Sequence, residues 1–183
     1  MRKQMQAATI CALMSGIVQA DPLDGEKQIW LSDGTGAERR IGTVLFTPDA
    51  DGARYVLELS DEIFADHFLS MRPFKCLEGQ EKHWCHVPYP YEIRRHVSAQ
   101  DLTDLEYDLL FVWKGATDYG INLWNGVYYE IKVQENGLIG QMRELDMDVL
   151  SAPPAPGNLR PVQPKDLHET DPGSHWLPHL AIR

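Results

Sequence analysis

Two Asn-Gly dipeptides constrain the fold of this chain more than any other feature of its sequence. Asn125-Gly126 and Asn136-Gly137 lie close together, and each stands between runs rich in Val, Ile, Tyr and Leu. Asn-Gly favours the type I′ turn of a β-hairpin, because both central residues of that turn need positive φ. The spacing therefore predicts a three-stranded antiparallel meander over residues 119–144.

Other segments share this strand pattern. Residues 41–47 and 54–59 alternate around a Pro- and Gly-containing turn, and residues 107–113 form a further apolar and aromatic run. Residues 60–67 start with a Ser followed by two acids, which predicts a short helix; residues 101–104 predict a single helical turn. We expect a mainly β (β-rich α+β) domain, an antiparallel curved sheet or barrel with one or two short helices.

The first twenty residues have the pattern of a signal peptide. Arg2 and Lys3 precede an apolar run from 7 to 18, and Val18-Gln19-Ala20 supplies small residues where a signal peptidase reads them. The run is shorter than the roughly 20 residues that span a bilayer, so a retained anchor is the weaker alternative. Cleavage after Ala20 predicts a periplasmic or secreted protein, with no membrane insertion of the mature chain.

The rest of the chain divides at about residue 150. Residues 21–150 carry the β pattern, whereas residues 151–183 hold more than half of the 12 prolines and predict an irregular extension. That extension ends in an apolar stretch that includes Trp176 and Leu180. We therefore expect this proline-rich C-terminal segment to wrap the domain and dock on it, with a free recruitment motif as the alternative.

Export gives the cysteines a structural role. Cys76 and Cys85 are the cysteines that follow the predicted signal peptide, and a pair in an oxidising compartment indicates a disulfide bond. The rival interpretation is a metal site, because His83 and His86 flank Cys85. That spacing does not match the ligand pairs of structural zinc sites. We predict the disulfide, no metal and no cofactor.

The meander also predicts a polar row on an otherwise apolar face. If both Asn-Gly dipeptides form two-residue loops, Asn122, Tyr129 and Glu144 lie side by side across three strands, next to Trp124. A few polar groups on an apolar wall are typical of a small-molecule site. The alternative is a structural cluster in which these polar groups form hydrogen bonds with one another and bind no ligand.

Acids continue beyond this row. Asp146 and Asp148 follow Glu144 at alternate positions, so a calcium site formed by Glu144, Asp146 and Asp148 is a further, weaker alternative.

The net charge of the chain and the absence of known catalytic motifs narrow the classes of function that the sequence predicts. The formal net charge is −10, which argues against nucleic-acid binding, because phosphate contacts depend on clustered Lys and Arg. No phosphate loop, zinc-protease or nucleophile-elbow motif occurs, so the chain is not predicted to be an enzyme. We expect a periplasmic binding or accessory module for a small ligand or envelope component. A protein–protein interaction or inhibitor protein of the envelope, and a hydrolase that uses the carboxylate row, are the alternatives.

Overall fold

A computed structural model of the chain describes residues 21–69 and 73–183. The predicted signal peptide, residues 1–20, lies outside these ranges. The described part is mainly β, as the sequence predicts, and its strands form one antiparallel sheet. The strands are β1 Gly25–Ser32, β2 Glu38–Pro48, β3 Ala53–Leu59, β4 Ala65–Phe68, β5 Pro73–Glu78, β6 Lys82–His86, β7 His96–Val97, β8 Phe111–Gly115, β9 Gly126–Gln134, β10 Gly137–Leu145, β11 Leu167–His168 and β12 His179–Ile182.

The sheet is bent but not closed into a barrel, so of the two predicted forms the curved sheet is correct. Its order is β4-β5-β6-β8-β9-β10-β12-β1-β2-β3-β7, and β11 pairs with part of β10. The edge strands β4 and β7 are short, which limits the unpaired backbone that the edges expose. One core cluster joins Tyr55 of β3 to Leu77 of β5, although these strands lie near opposite ends of the sheet.

The concave face of this bent sheet holds the main core. The helix α1, Thr103–Asp108, closes it by burying Leu105, and Leu109 is buried just beyond the helix. The opposite face carries two smaller clusters. One packs around Tyr107 and Tyr128, and the other contains the two cysteines.

Two predicted elements are wrong. Residues 60–67 form no helix; a turn is followed by β4, in which Ala65 pairs with Cys76 of β5. A helix this short has few internal hydrogen bonds to offset its nucleation cost, whereas pairing with β5 supplies them. The predicted strand at residues 107–113 begins only at Phe111, because residues up to Asp108 belong to α1.

The predicted meander exists with a different first strand and a shifted register. β8, β9 and β10 are neighbouring antiparallel strands, but a 3₁₀ turn, Leu123–Asn125, precedes β9 where the first hairpin turn was predicted. In the second hairpin Gln134 pairs with Gly137, so Glu135 and Asn136 form the loop. A two-residue loop at Asn136-Gly137 would instead pair Glu135 with Leu138, whereas Leu138 pairs with Val133, so the predicted register is wrong by two residues.

Close approach of neighbouring backbone explains this shift. A Cβ atom on Gly137 would lie 2.2 Å from the carbonyl oxygen of Ile182, and one on Gly126 would lie 2.2 Å from that of Leu145. Both glycines therefore serve as strand residues that let another strand or turn pass, and not as the second residue of a turn. A shift of two residues keeps the side chains of β9 and β10 on their predicted faces.

The C-terminal segment contains a regular strand, contrary to the expectation of an irregular wrap. β12 lies inside the sheet, between β10 and β1. Leu177, Leu180 and Ile182 are buried in the main core, and Trp176 packs against it. Residues 179–182 thus lie in the middle part of the sheet, and Leu177 just before them belongs to the main core.

Candidate ligand-binding site

The four residues of the predicted polar row do not form one row. Tyr129 lies opposite Met142, and Glu144 lies opposite Val127. Asn122 caps the 3₁₀ turn by accepting a hydrogen bond from the backbone N–H of Trp124, whose side chain is 69% exposed. The structure therefore keeps Tyr129 and Glu144 on one face and places Asn122 and Trp124 outside the strand.

The buried hydroxyl of Tyr129 connects three parts of the chain through hydrogen bonds. Its hydroxyl accepts a hydrogen bond from Trp84 Nε1 at 3.0 Å and donates one to the carbonyl oxygen of Leu177 at 2.7 Å. Burial raises the pKa of Tyr129 above its ordinary value, so the phenol stays protonated. The contacts connect β6, β9 and the segment that leads into β12.

The carboxylate of Glu144 contacts the side chain of a buried histidine, His175. Its Oε1 lies 2.9 Å from His175 Nε2, and the His175 side chain is only 4% exposed. The rings of Trp84 and Trp113 contact His175 edge-on, at centroid distances of 6.2 and 5.9 Å. His175 Nδ1 and Trp113 Nε1 are buried and have no hydrogen-bond partner among the described residues.

Two of the three acids in the calcium alternative, Glu144 and Asp146, make other contacts. Asp146 accepts a hydrogen bond from the backbone N–H of Asp148 and so caps a 3₁₀ turn, Met147–Leu150. Glu144 points to His175. The hydrolase alternative uses the same row, in which Glu144 contacts His175, and it stays a prediction.

Beside this cluster lies a cavity of about 480 Å³, which we call the Trp176 cavity. Arg39 of β2, the turn between β5 and β6, and the segment before β12 form its wall. The lining residues are Arg39, Glu78, Gly79, Gln80, Glu81, Lys82, Gly173, Ser174, His175 and Trp176. The cavity thus combines one indole with a guanidinium, an ammonium, two carboxylates, an amide and an imidazole.

Cations lie against two of the tryptophans here. The Arg39 guanidinium carbon lies 5.1 Å from the centroid of a Trp176 ring, and Lys82 Nζ lies 4.3 Å from that of Trp113. Lys82 also donates a hydrogen bond to the carbonyl oxygen of Ser174 at 2.7 Å. Such cation–π contacts position both side chains at the rim of the cavity.

The sequence predicts some of the residues in this region as site residues and misses others. It selected Tyr129 and Glu144, which support Trp84 and His175, but it missed Arg39, Lys82 and Trp176 as lining residues. Period-two alternation does place Lys82 and Trp84 on one face of their strand. No local pattern indicates that the segment around residue 175 packs against that face.

Comparisons of the chain with protein-family models, with curated proteins and with solved structures gave no match. In the described ranges, no helix is long and apolar enough to cross a membrane.

Proposed function

We propose that this protein is an exported binding module that takes a small cyclic sugar in the Trp176 cavity. The observation that carries the proposal is the lining itself, in which one indole is surrounded by side chains of both charges and by an amide. Ring hydroxyls both donate and accept hydrogen bonds, so a lining of mixed donors and acceptors suits them. The apolar C–H groups of a pyranose ring match an indole, and because the Arg39 guanidinium already lies over a Trp176 ring, the sugar would contact the part of the indole that Arg39 leaves open.

The charge balance of the lining favours a neutral ligand. Arg39 and Lys82 are offset by Glu78 and Glu81, so the cavity has no strong preference for an anion or a cation. Charge-assisted hydrogen bonds to hydroxyls are stronger than neutral ones, so the charged side chains of the lining still favour a neutral ligand with several hydroxyls.

Export is the second part of the proposal. It is supported by the signal-peptide pattern of residues 1–20 and by the Cys76–Cys85 disulfide, since disulfides persist in oxidising compartments. Ligands in that setting are envelope sugars or small molecules entering from outside.

The test is an NMR titration of the mature chain with glucose, galactose and N-acetylglucosamine at millimolar concentration. We expect a saturable shift of the Trp176 indole N–H signal for at least one sugar, and none for mannitol, an acyclic polyol that has no ring face. Trp176→Ala should weaken binding at least tenfold, about 1.4 kcal/mol. The absence of a saturable shift with every sugar would overturn the proposal.

A matched control is available on β1. Trp30 also lies under a cation, with the Arg183 guanidinium carbon 5.3 Å from its ring centroid, but it does not line the Trp176 cavity. Trp30→Ala should therefore leave sugar binding unchanged. Equal losses in the two variants would point to a general effect on folding and would contradict the assignment of the cavity.

An interaction protein is the second candidate, and one observation favours it. Phe68, Tyr119 and Trp124 are apolar or aromatic side chains with exposed fractions of 68, 100 and 69%. Exposed apolar side chains of this size are enriched at protein–protein interfaces. Loss of a co-purifying envelope protein in a Tyr119→Ser, Trp124→Ser double variant, with sugar binding unchanged, would support this candidate.

A further inference from the structure

A second cluster of chemically active side chains lies beside the disulfide and shares one residue, Glu78, with the lining of the Trp176 cavity. His67 of β4, Glu78 of β5 and His83 of β6 each offer one ligand atom, and these atoms lie within 4.8 Å of one another. Glu78 pairs directly with His83, and the pair Cys76–Cys85 is two residues further along the same ladder. Three adjacent strands thus bring two imidazoles and one carboxylate together.

The distances within this cluster suit a small cation. His67 Nε2 lies 2.9 Å from Glu78 Oε1, and the ring centroids of His67 and His83 are 5.0 Å apart. Zinc–ligand bonds of about 2.0–2.1 Å in a tetrahedron place the ligand atoms roughly 3.3 Å apart. Shifts of about 1.5 Å or less in flexible side chains therefore bring all three ligand atoms to bonding distance.

His83 provides an independent indication. The residue is 8% exposed, and its Nδ1 is buried with no hydrogen-bond partner among the described residues. A buried imidazole nitrogen without a partner is costly, and such groups in folded proteins call for a ligand or a function.

The surrounding charges select the kind of ion. Lys114 lies opposite His83 on β8, is 3% exposed, and directs its ammonium to the carbonyl oxygen of Gly115 at 2.9 Å. This nearby positive charge opposes a cation, and Glu78 offsets it. Calcium and magnesium need several oxygen ligands, which this set lacks, whereas zinc accepts two imidazoles and one carboxylate.

We propose that His67, Glu78 and His83 bind one Zn²⁺ ion through three protein ligands, leaving a fourth position open. This site differs from the metal interpretation that the sequence suggests around residues 83–86. His86 is hydrogen-bonded to the carbonyl oxygen of Asp108, and Cys85 is held in the disulfide. Of that motif, only His83 belongs to the cluster.

The experiment is a calorimetric titration of the mature, disulfide-bonded chain with Zn²⁺ at pH 7.5. We expect a single site per chain, and we expect His67→Ala and Glu78→Gln each to lower the affinity by at least tenfold. Even the loss of a residue that only positions a ligand costs 10–100-fold in other sites, an order-of-magnitude guide. Affinity should fall below about pH 6, because protonated imidazoles do not bind metal.

His96 supplies the matched control, because its Nε2 lies 3.0 Å from Asp49 Oδ1 and so forms a similar histidine–carboxylate pair at the surface. His96→Ala should leave zinc affinity unchanged. The proposal is overturned if the chain binds no stoichiometric Zn²⁺, or if His96→Ala weakens binding as much as His67→Ala. Circular dichroism of His67→Ala, whose side chain is 21% exposed, checks that the variant folds.

A spectroscopic measurement tests the ligand geometry separately. Co²⁺ in the same site should give the intense visible absorption of a four-coordinate ion, and His83→Gln should remove it. Sugar binding in the Trp176 cavity should persist in His67→Ala, so that failure of one proposal is distinguishable from failure of the other.

Discussion

Trp84 Nε1 donates a hydrogen bond to the hydroxyl of Tyr129 across two strands that are not neighbours in the sheet. The same hydroxyl donates a hydrogen bond to the carbonyl oxygen of Leu177, two residues before β12 begins at His179. This chain of two hydrogen bonds fixes the C-terminal segment to the main core. The cluster of Trp84, Trp113 and His175 beside the Trp176 cavity therefore depends on these two hydrogen bonds.

Tyr129→Phe removes the hydroxyl and leaves two buried polar groups, Trp84 Nε1 and the carbonyl of Leu177, without a partner. We expect the free energy of unfolding to fall by about 1–3 kcal/mol in chemical denaturation. Tyr119→Phe, at a fully exposed tyrosine, is the control and should be neutral. A direct ligand-binding role for Tyr129 instead predicts weaker sugar binding with little loss of stability.

The disulfide should contribute measurably to stability. Cys76 and Cys85 lie directly opposite each other on β5 and β6, with Cα atoms 3.9 Å apart. Loop-closure entropy for so short a loop predicts that Cys76→Ala, Cys85→Ala lowers the free energy of unfolding by about 2–3 kcal/mol. Non-reducing peptide mapping should show the two cysteines joined; two free thiols would contradict this.

Glu106 should make stability depend on pH. Burial raises the pKa of its carboxyl above the ordinary value, and hydrogen bonds from the Tyr128 hydroxyl and the Ile131 N–H only partly offset this. The folded chain then holds this proton more tightly than the unfolded chain does. The resulting stability is present below the unfolded pKa and is lost as pH rises through the folded pKa.

Urea unfolding of the wild type and Glu106→Gln between pH 4 and 8 measures this effect. The stability of the wild type relative to the variant should decrease from about pH 4.5 upward, because only the wild type loses the proton. Glu62→Gln, at an exposed position, controls for the loss of one carboxylate. A relative stability that rises with pH would show that the hydrogen bonds outweigh burial.

Processing is the fourth prediction. The basic start, the short apolar run and the small residues before Asp21 predict that the mature chain begins at Asp21. N-terminal sequencing of protein from the envelope fraction measures this directly. Finding Met1 in the soluble envelope fraction would refute cleavage.

Several features of this protein follow from the sequence alone, since each depends on neighbouring residues. Period-two alternation on both sides of the turn at residues 48–52 predicts the hairpin of β2 and β3, which the structure contains. Two cysteines separated by a short polar loop predict the disulfide, and the structure confirms it. The faces of β9 and β10 are also correct, because alternation is unaffected by a shift of two residues.

Contacts between distant parts of the chain determine strand β4, the register of β10 and the assembly of the candidate site. Residues 65–68 form a strand because β5 offers a partner, and the register of β10 follows from the backbone of β12 lying against Gly137. Trp84 and Trp113 lie opposite each other on β6 and β8, and His175 and Trp176 reach them because the strand that follows, β12, enters between β10 and β1. Local patterns determine periodicity and turns, whereas the pairing of distant strands depends on which surfaces bury together, and no short stretch of sequence encodes that choice.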